Sequence, residues 1–268
     1  MSDRIKVVVA GANGKMGREV VKAILEDDQL ELVGAVDVRQ KGTDLGVLVG
    51  KPPIGRVVFS DLEALLKETQ PQVMVDFTNP QSVLRNLHVA LQYQTYAVVG
   101  TTGLTAVELE EVEQKARKND VGVFVAPNFA LGAVLLMKFA REAARHFPHV
   151  EIIELHHDQK LDAPSGTALR TADIIKQERP TFKQGAINEY EKLPGARGAE
   201  INGMRVHSVR LPGFVAHEEV IFGGLGQILT LRHDSINREC FMPGVLLAIH
   251  RVTQLKGLVV GLENLLDH

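Results

Sequence analysis

The order of apolar runs and helical patterns at the start of the chain constrains its fold more than any other feature. Residues 5–10 are rich in β-branched side chains and end at a glycine turn, which is typical of a strand. Residues 17–26 place apolar side chains at helical spacing, and residues 30–36 form a second apolar run. A strand, a helix and a strand in this order predict a βαβ unit with parallel strands.

The same alternation continues through the first 128 residues. Strands that are buried on both faces form unbroken apolar runs, whereas strands with one wet face alternate. We therefore predict an α/β fold whose first domain is a doubly wound parallel sheet. The helical patterns and apolar runs that carry this prediction are residues 62–67, 73–77, 82–91, 96–100, 106–118 and 121–126.

The pattern then changes, which predicts a second domain of α+β type with a mixed or antiparallel sheet. Residues 179–200, rich in Pro, Gly and charge, predict a long surface loop. A helix predicted over residues 241–255 is assigned back to the first domain, so the predicted domains are 1–128 with 240–268, and 129–239. The other predicted elements are helices at 133–146 and 165–177, a strand at 149–155, and antiparallel strands at 204–211, 217–223 and 227–233.

Composition excludes several classes of partner. The formal net charge is −3, so there is no basic surplus of the kind that binds nucleic acids. No apolar run reaches the roughly 18 residues of a membrane helix, and the first run leads into a glycine turn and not into a signal-peptide cleavage site. The single cysteine, Cys240, has no internal disulfide partner, as is common in a reducing compartment. We predict a cytoplasmic protein with no nucleic acid and no membrane as partner.

Three glycines follow the first predicted strand at a regular spacing. Gly11, Gly14 and Gly17 stand in the sequence GANGKMG, and such a loop brings the backbone close to a pyrophosphate at a helix N-terminus. Asp37 ends the next strand, where a carboxylate can bind the ribose hydroxyls of an adenosine. Glycines also serve ordinary tight turns, and Asp37 alone fits an exposed turn. Their order along the chain nevertheless predicts a dinucleotide site.

Three further loops follow later strands of the predicted sheet. They are FTNP at residues 77–80, GTTG at residues 100–103 and APNFALG at residues 126–132. Ligands of open α/β sheets bind outside the carboxyl ends of the strands, where these loops gather. Each loop alone is compatible with ordinary turn chemistry. Together they predict a cofactor crevice.

The segment ELHHDQKLDAPSGTALR, residues 154–170, concentrates chemistry in the second domain. Histidine can give the proton that completes a reduction, and Lys160 supplies a positive charge for an anionic substrate. Ser165 is a predicted N-cap, and Gly166 leaves the N–H groups of the helix start accessible to a second anion. Lys160 and the helix start are two anion-binding features, and together they predict a substrate with more than one carboxylate.

The same segment also has structural interpretations. A His-His pair can be a satisfied structural feature, Lys160 a solvated charge, and Ser165 an ordinary cap. No Cys and no Asp/Glu–His cluster completes the spacing of a zinc site, so we predict no metal.

The combination of GANGKMG, GTTG, APNFALG and ELHHDQKLDAPSGTA resembles the 4-hydroxy-tetrahydrodipicolinate reductase family, also called dihydrodipicolinate reductase, over nearly the whole chain. The resemblance implies an N-terminal Rossmann domain, a substrate-binding and oligomerisation domain, and a homotetramer. It implies that His156 donates the proton and that Lys160 binds substrate and assists the transfer. The residues that it assigns to the substrate carboxylates are His157, Gly166 and Thr167, and those that it assigns to the cofactor are Gly11, Ala12, Asn13, Gly14, Lys15, Met16, Asp37, Gly100, Thr101, Thr102, Ala126, Pro127, Asn128 and Phe129.

The resemblance also implies the reaction. A cyclic imine with two carboxylates is reduced, with loss of water, to tetrahydrodipicolinate in diaminopimelate and lysine biosynthesis. Some relatives place an arginine directly after the strand-end acid to bind a 2′-phosphate, whereas here Val38 follows Asp37 and the arginine is Arg39. We count Arg39 among the cofactor residues and expect both NADH and NADPH to serve, with NADH used at least as well. The alternatives are another Rossmann-type amino-acid dehydrogenase and a non-catalytic dinucleotide sensor.

Overall fold

The computed structural model describes residues 4–179, 184–186 and 188–266. The chain divides into two compact units, of which one holds the residues up to Ala130 and those from Arg238 onward, and the other holds Leu131–Asn237. The boundaries expected from the sequence lie after residues 128 and 239. Part of the predicted loop of residues 179–200, namely 180–183 and 187, lies outside the described residues.

The first unit is built on a parallel sheet of seven strands, numbered here in chain order. They are β1 (Ile5–Ala10), β2 (Leu30–Val36), β3 (Val58–Phe59), β4 (Val73–Asp76), β5 (Tyr96–Val99), β6 (Gly122–Val125) and, near the end of the chain, β12 (Gly257–Val260). Their order in the sheet is β12-β6-β5-β4-β1-β2-β3. The chain therefore winds from β1 first to one edge and then to the other, which confirms the predicted doubly wound sheet.

Helices flank this sheet, and local signals in the sequence fix their ends. The side chain of Thr105 accepts a hydrogen bond from the N–H of Glu108, whose carboxylate reaches back to the N–H of Thr105, so a capping box begins α5. Val8 and Met74 of the sheet are fully buried, and each such side chain contributes about 1.5–3 kcal/mol through burial. The helices are α1 (Lys15–Glu26), α2 (Leu45–Leu48), α3 (Leu62–Thr69), α4 (Val83–Gln92), α5 (Ala106–Lys118) and, after the second unit, α8 (Met242–Val252).

The second unit is built on a mixed sheet of five strands. They are β7 (His149–His156), β8 (Ala199–Ile201), β9 (Met204–Arg210), β10 (Ala216–Gly224) and β11 (Gln227–Ser235), in the order β11-β10-β7-β9-β8. The predicted antiparallel pairing is correct for β10, which runs antiparallel to both β7 and β11. β9 runs antiparallel to β8 and parallel to β7, so the sheet is mixed, as the fold class predicted. The connection between β7 and β9 contains a helix, and such a crossover returns the next strand in the parallel direction.

Two helices, α6 (Leu131–Ala144) and α7 (Gly166–Glu178), pack on one face of this sheet. Side chains alternate along β7 accordingly, since Ile152 and Glu154 are buried on the helix side while Ile153 is partly exposed on the other. The second face, which we call the open face, carries both apolar and charged side chains. Among the described residues, no helix has the length and apolar character needed to cross a membrane.

Candidate functional site

Two glycines at the junction of β1 and α1, Gly11 in the loop and Gly17 in the first turn of α1, leave no room for a side chain. Gly11 has a φ of 83°, and a Cβ there would lie 2.4 Å from the carbonyl oxygen of Phe77. A Cβ at Gly17 would lie 2.1 Å from the carbonyl oxygen of Gly11. Gly14 is less confined, with the nearest atom at 3.2 Å, and it directly precedes the first turn of α1. The start of this helix is therefore open to a phosphate group.

The carboxylate of Asp37 accepts two backbone hydrogen bonds, one of them from the glycine loop. Its Oδ2 accepts from the N–H of Asn13 at 3.0 Å, and its Oδ1 accepts from the N–H of Arg39 at 2.9 Å. The contact between Asp37 and Arg39 is thus made by the backbone of Arg39, whose side chain is exposed. Asp37 can still accept hydrogen bonds at its remaining lone pairs.

A crevice of about 470 Å³ opens beside these residues. Five of the predicted cofactor residues line it, namely Gly11, Asn13, Gly14, Asp37 and Arg39. The sequence did not predict that the segment after β3, the residues just before α4 and the first turn of α4 also contribute, through residues that include Ser60, Gln81, Ser82 and Arg85. The sequence pattern of β3 is weak because this strand has only two residues.

Asp76, at the end of β4, joins the loops at this edge of the sheet. It is fully buried and accepts hydrogen bonds from the hydroxyls of Thr78 and Thr101, each at 2.7 Å. The side-chain amide of Asn86 donates to its other oxygen at 2.7 Å. Thr101 was predicted as a cofactor residue, and its hydroxyl is directed to Asp76. Asp76 escaped prediction because it lies inside an apolar run.

The remaining predicted cofactor residues lie at the same edge but not in the lining of the crevice. A Cβ at Gly100 would lie 2.1 Å from the ring of Phe77. The ring of Phe77 also packs on Phe129, with 5.8 Å between centroids. The side chain of Asn128 accepts from the N–H of Ala130 at 2.9 Å. The other members differ in exposure: Ala12 and Ala126 are buried, Met16 is partly exposed, and Lys15, Thr102 and Pro127 are exposed.

In the second unit, His156 ends β7 and its side chain is only 14% exposed. Its Nδ1 lies 2.5 Å from Oε2 of Glu154. Burial lowers the pKa of His156, although the hydrogen bond and the charge of Glu154 oppose this change. The positive charges of Lys160 and Arg210 lower the pKa of His156 further.

Lys160 and the start of α7 complete this part of the site. The Nζ of Lys160 donates to Asp162 at 2.6 Å, and the side chain is 20% exposed. The hydroxyl of Ser165 accepts from the N–H of Ala168 at 3.2 Å, so Ser165 is the predicted N-cap. The neighbouring residues predicted to bind substrate are accessible, since His157 and Gly166 are exposed and Thr167 is partly exposed.

Arg210 and Glu218 belong to the same cluster, although the sequence did not predict them. Arg210 contacts both carboxylate oxygens of Glu154, at 2.9 and 2.7 Å. Glu218 lies opposite Glu154 on β10, and burial raises the pKa of Glu218 to about 7. Among the described residues there is no group of three or more His, Cys, Asp or Glu side chains that could hold a metal ion.

The chain is similar to known proteins over nearly its whole length. Residues 5–129 match the family "Dihydrodipicolinate reductase, N-terminus", and residues 132–266 match "Dihydrodipicolinate reductase, C-terminus". The chain is 57% identical over 265 residues to a 4-hydroxy-tetrahydrodipicolinate reductase of Desulfitobacterium hafniense, covering 98% of this chain and 99% of the relative. It is 53% identical to that of Syntrophomonas wolfei, covering 99% and 100%.

A solved structure is similar over the same length. It is a dipicolinate-bound dihydrodipicolinate reductase from Paenisporosarcina sp. TG-14, with a TM-score of 0.89 and 49% identity. The similarity covers 97% of this chain and 99% of that one.

Proposed function

Since this chain belongs to the dihydrodipicolinate reductase family, we propose that His156 supplies the proton in its reaction, the NAD(P)H-dependent reduction of 4-hydroxy-tetrahydrodipicolinate. The product is tetrahydrodipicolinate, in diaminopimelate and lysine biosynthesis. The observation that carries the role of His156 is the cluster at the end of β7. There a proton donor, the cation of Lys160 and the open start of α7 occur in one short segment.

Different residues of this cluster bind the substrate and donate the proton. Lys160 and the N–H groups at the start of α7 bind the two carboxylates, with His157, Gly166 and Thr167 around them. After loss of water, reduction of the substrate double bond requires a hydride at one atom and a proton at the other. His156 gives that proton from its partly buried ring. Lys160 also offsets negative charge that develops as the hydride arrives.

The crevice of the first unit fits a nicotinamide dinucleotide. The tight glycine positions bring the backbone within reach of a pyrophosphate at the start of α1, and Asp37 stands where it can accept from ribose hydroxyls. When bound, the reduced nicotinamide supplies the hydride. We propose that both NADH and NADPH serve.

Purified protein coupled to the synthase that makes the substrate tests the reaction. We expect oxidation of the reduced cofactor that depends on the synthase product. A non-catalytic sensor would bind cofactor and oxidise none, and another amino-acid dehydrogenase would be indifferent to the synthase product. Either result would overturn the proposal.

Substitutions test the roles within the cluster. We expect His156→Gln to lower kcat by about 10²-fold or more with a smaller change in KM, because the proton transfer is lost while the binding groups remain. Lys160→Ala should damage both parameters, since its charge acts in the bound and in the transition state. His146→Gln is the control, because His146 is a 68% exposed histidine on the surface. If both site variants keep a near-parental kcat, the proposal is wrong and other residues carry out the proton transfer.

We also propose a homotetramer located in the cytoplasm. The open face of the second sheet supports assembly, since it carries partly exposed apolar residues such as Ile153 and Ile221. The single cysteine supports a reducing compartment.

A further inference from the structure

Glu154 is the most completely enclosed charged group near the proposed proton donor. It is 0% exposed and lies on the helix side of β7. Its carboxylate contacts His156 Nδ1 at 2.5 Å, Arg210 Nη1 and Nη2 at 2.9 and 2.7 Å, and the backbone N–H of Ser165 at 3.2 Å. The side chain of Ser208 also donates to it.

These contacts determine how the ring of His156 is held. Burial opposes the charge of Glu154, but hydrogen bonds from Arg210, Ser208 and His156 outweigh it and hold the pKa of Glu154 below its ordinary value. An ionised carboxylate only accepts hydrogen bonds, so the proton between the two groups belongs to Nδ1 of His156. The second ring nitrogen, Nε2, is then the atom that exchanges a proton with substrate.

We propose that Glu154 is a positioning residue for His156: its buried carboxylate fixes the Nδ1 side of the ring, so that Nε2 carries the transferable proton toward the substrate. The idea rests on the proposed function, in which His156 is the donor. Arg210 and the start of α7 act in turn on Glu154, because they fix both of its oxygens. The same α7 N-terminal turn that is proposed to bind a carboxylate therefore also holds the proton donor in place.

Every element around the ring contributes to its charge environment. Glu154 comes from β7 itself, Lys160 from the segment that follows, and Arg210 from β9. On β10, Glu218 faces Glu154, and α7 contributes polar groups, the N–H of Ser165 and the hydroxyl of Thr171. Glu154 is the group that raises the pKa of His156 against burial and against both cations.

The test is the pH profile of Glu154→Gln. A proton donor must be protonated, so kcat falls as pH rises through its pKa. Removal of the Glu154 charge should lower the pKa of His156, and this fall should begin about one pH unit or more lower than in the parent. At pH 8 we expect kcat to be reduced about 10-fold or more, with KM changed much less. The ring pKa of His156, measured by NMR, should shift in the same direction.

Glu151→Gln provides a matched control on the same strand. Glu151 also accepts from an arginine and a histidine, Arg197 at 2.6 Å and His207 at 2.9 Å, but on the opposite face of the sheet. It should leave the pH profile and the His156 titration unchanged. An unchanged profile and unchanged ring pKa in Glu154→Gln would overturn the proposal, because a purely structural role lowers stability without moving either quantity.

Two further variants distinguish failure of the positioning role of Glu154 from failure of the proposed function of His156. If Glu154→Gln does not fold, Glu154→Asp keeps a charge for Arg210 but withdraws the carboxylate from Nδ1, and a parental kcat in that variant would refute the positioning role. His156→Gln tests the donor itself. If it retains the parental kcat, the proposed function fails; if it loses activity while Glu154 variants do not, only the positioning role fails.

Discussion

At the scale of single residues, we expect Asp37 to determine which cofactor the crevice favours. Its carboxylate is fixed beside the glycine loop by Asn13, where it can bind ribose hydroxyls but would repel a 2′-phosphate. Unless a cation offsets it, such repulsion costs about 1 kcal/mol. This free energy corresponds to about a fivefold decrease in kcat/KM for NADPH. We expect NADH to be used at least as well as NADPH, and Asp37→Ser to shift the ratio of the two kcat/KM values toward NADPH by roughly that factor.

The ratio of the kcat/KM values for NADPH and NADH is the useful measurement, because general damage to the loop would lower both values together. Arg39→Ala supplies the companion variant, since the Arg39 side chain is exposed and free to turn toward a phosphate. It should reduce use of NADPH more than use of NADH. Strong selectivity of the parent for NADPH, or no shift in Asp37→Ser, would contradict this account.

The sequence predicts the site residues that lie close together in the chain and misses those that strand pairing brings in. His156, Lys160 and Ser165 fall in one short segment, so their chemistry can be recognised locally. Arg210 is 56 positions from Glu154, and the two meet only because β9 pairs with β7. That register is set by packing of the whole sheet, and no local spacing reports it.

At the scale of secondary-structure elements, β10 places a carboxyl group where it is hard to ionise. Among the described residues, neither side-chain oxygen of Glu218 has a partner at normal hydrogen-bond geometry, and Glu154 faces it across the strands. Burial raises the pKa of Glu218 from 4.5 to about 7, with the nearby Thr171 hydroxyl opposing in part. Between these values the folded state binds more protons than the unfolded state, so stability falls as pH rises.

Glu218→Gln should remove this dependence, because the amide resembles the protonated carboxyl. Relative to the parent, the free energy of unfolding of the variant should gain on the order of 3 kcal/mol between pH 4.5 and pH 8. Denaturant titrations at several pH values measure it. The control is Glu219→Gln, whose carboxylate is paired with Arg232 at 2.9 Å on the other side of the strand. If the free energy of unfolding changes with pH in the same way in the parent and in Glu218→Gln, the prediction is wrong. The carboxyl of Glu218 would then ionise in the folded protein as readily as in the unfolded chain.

Elements with a strong period were predictable, and short ones were not. The helix predicted at residues 106–118 matches α5, because Thr105 and Glu108 mark its start and Lys115 and Arg117 lie near its end. The strand β3 has only two residues, too few to show a period. It forms because the neighbouring strand β2 offers it a partner.

At the scale of the whole molecule, the open face of the second sheet keeps apolar side chains partly exposed among the described residues, Ile153 on β7 among them. Ile221 lies on this face of β10, beside Glu151 of β7 and Thr230 of β11, and it is partly exposed. Burial of such apolar area between copies of the chain would stabilise the proposed tetramer by about 25 cal/mol per Å². A lysine at this position can reach solvent in the separate chain but would bring a charge into an interface.

We therefore expect Ile221→Lys to shift the protein from tetramers to smaller species while each chain stays folded. Sedimentation velocity over a range of concentrations measures the assembly, and circular dichroism measures the fold. Val107→Lys is the control, because Val107 is 78% exposed on a helix of the first unit and a charge there meets only water. If the parent sediments as a monomer, the tetramer is wrong. If Ile221→Lys sediments as the parent tetramer does, assembly uses another surface, since a charge buried in an interface over the open face should weaken that interface.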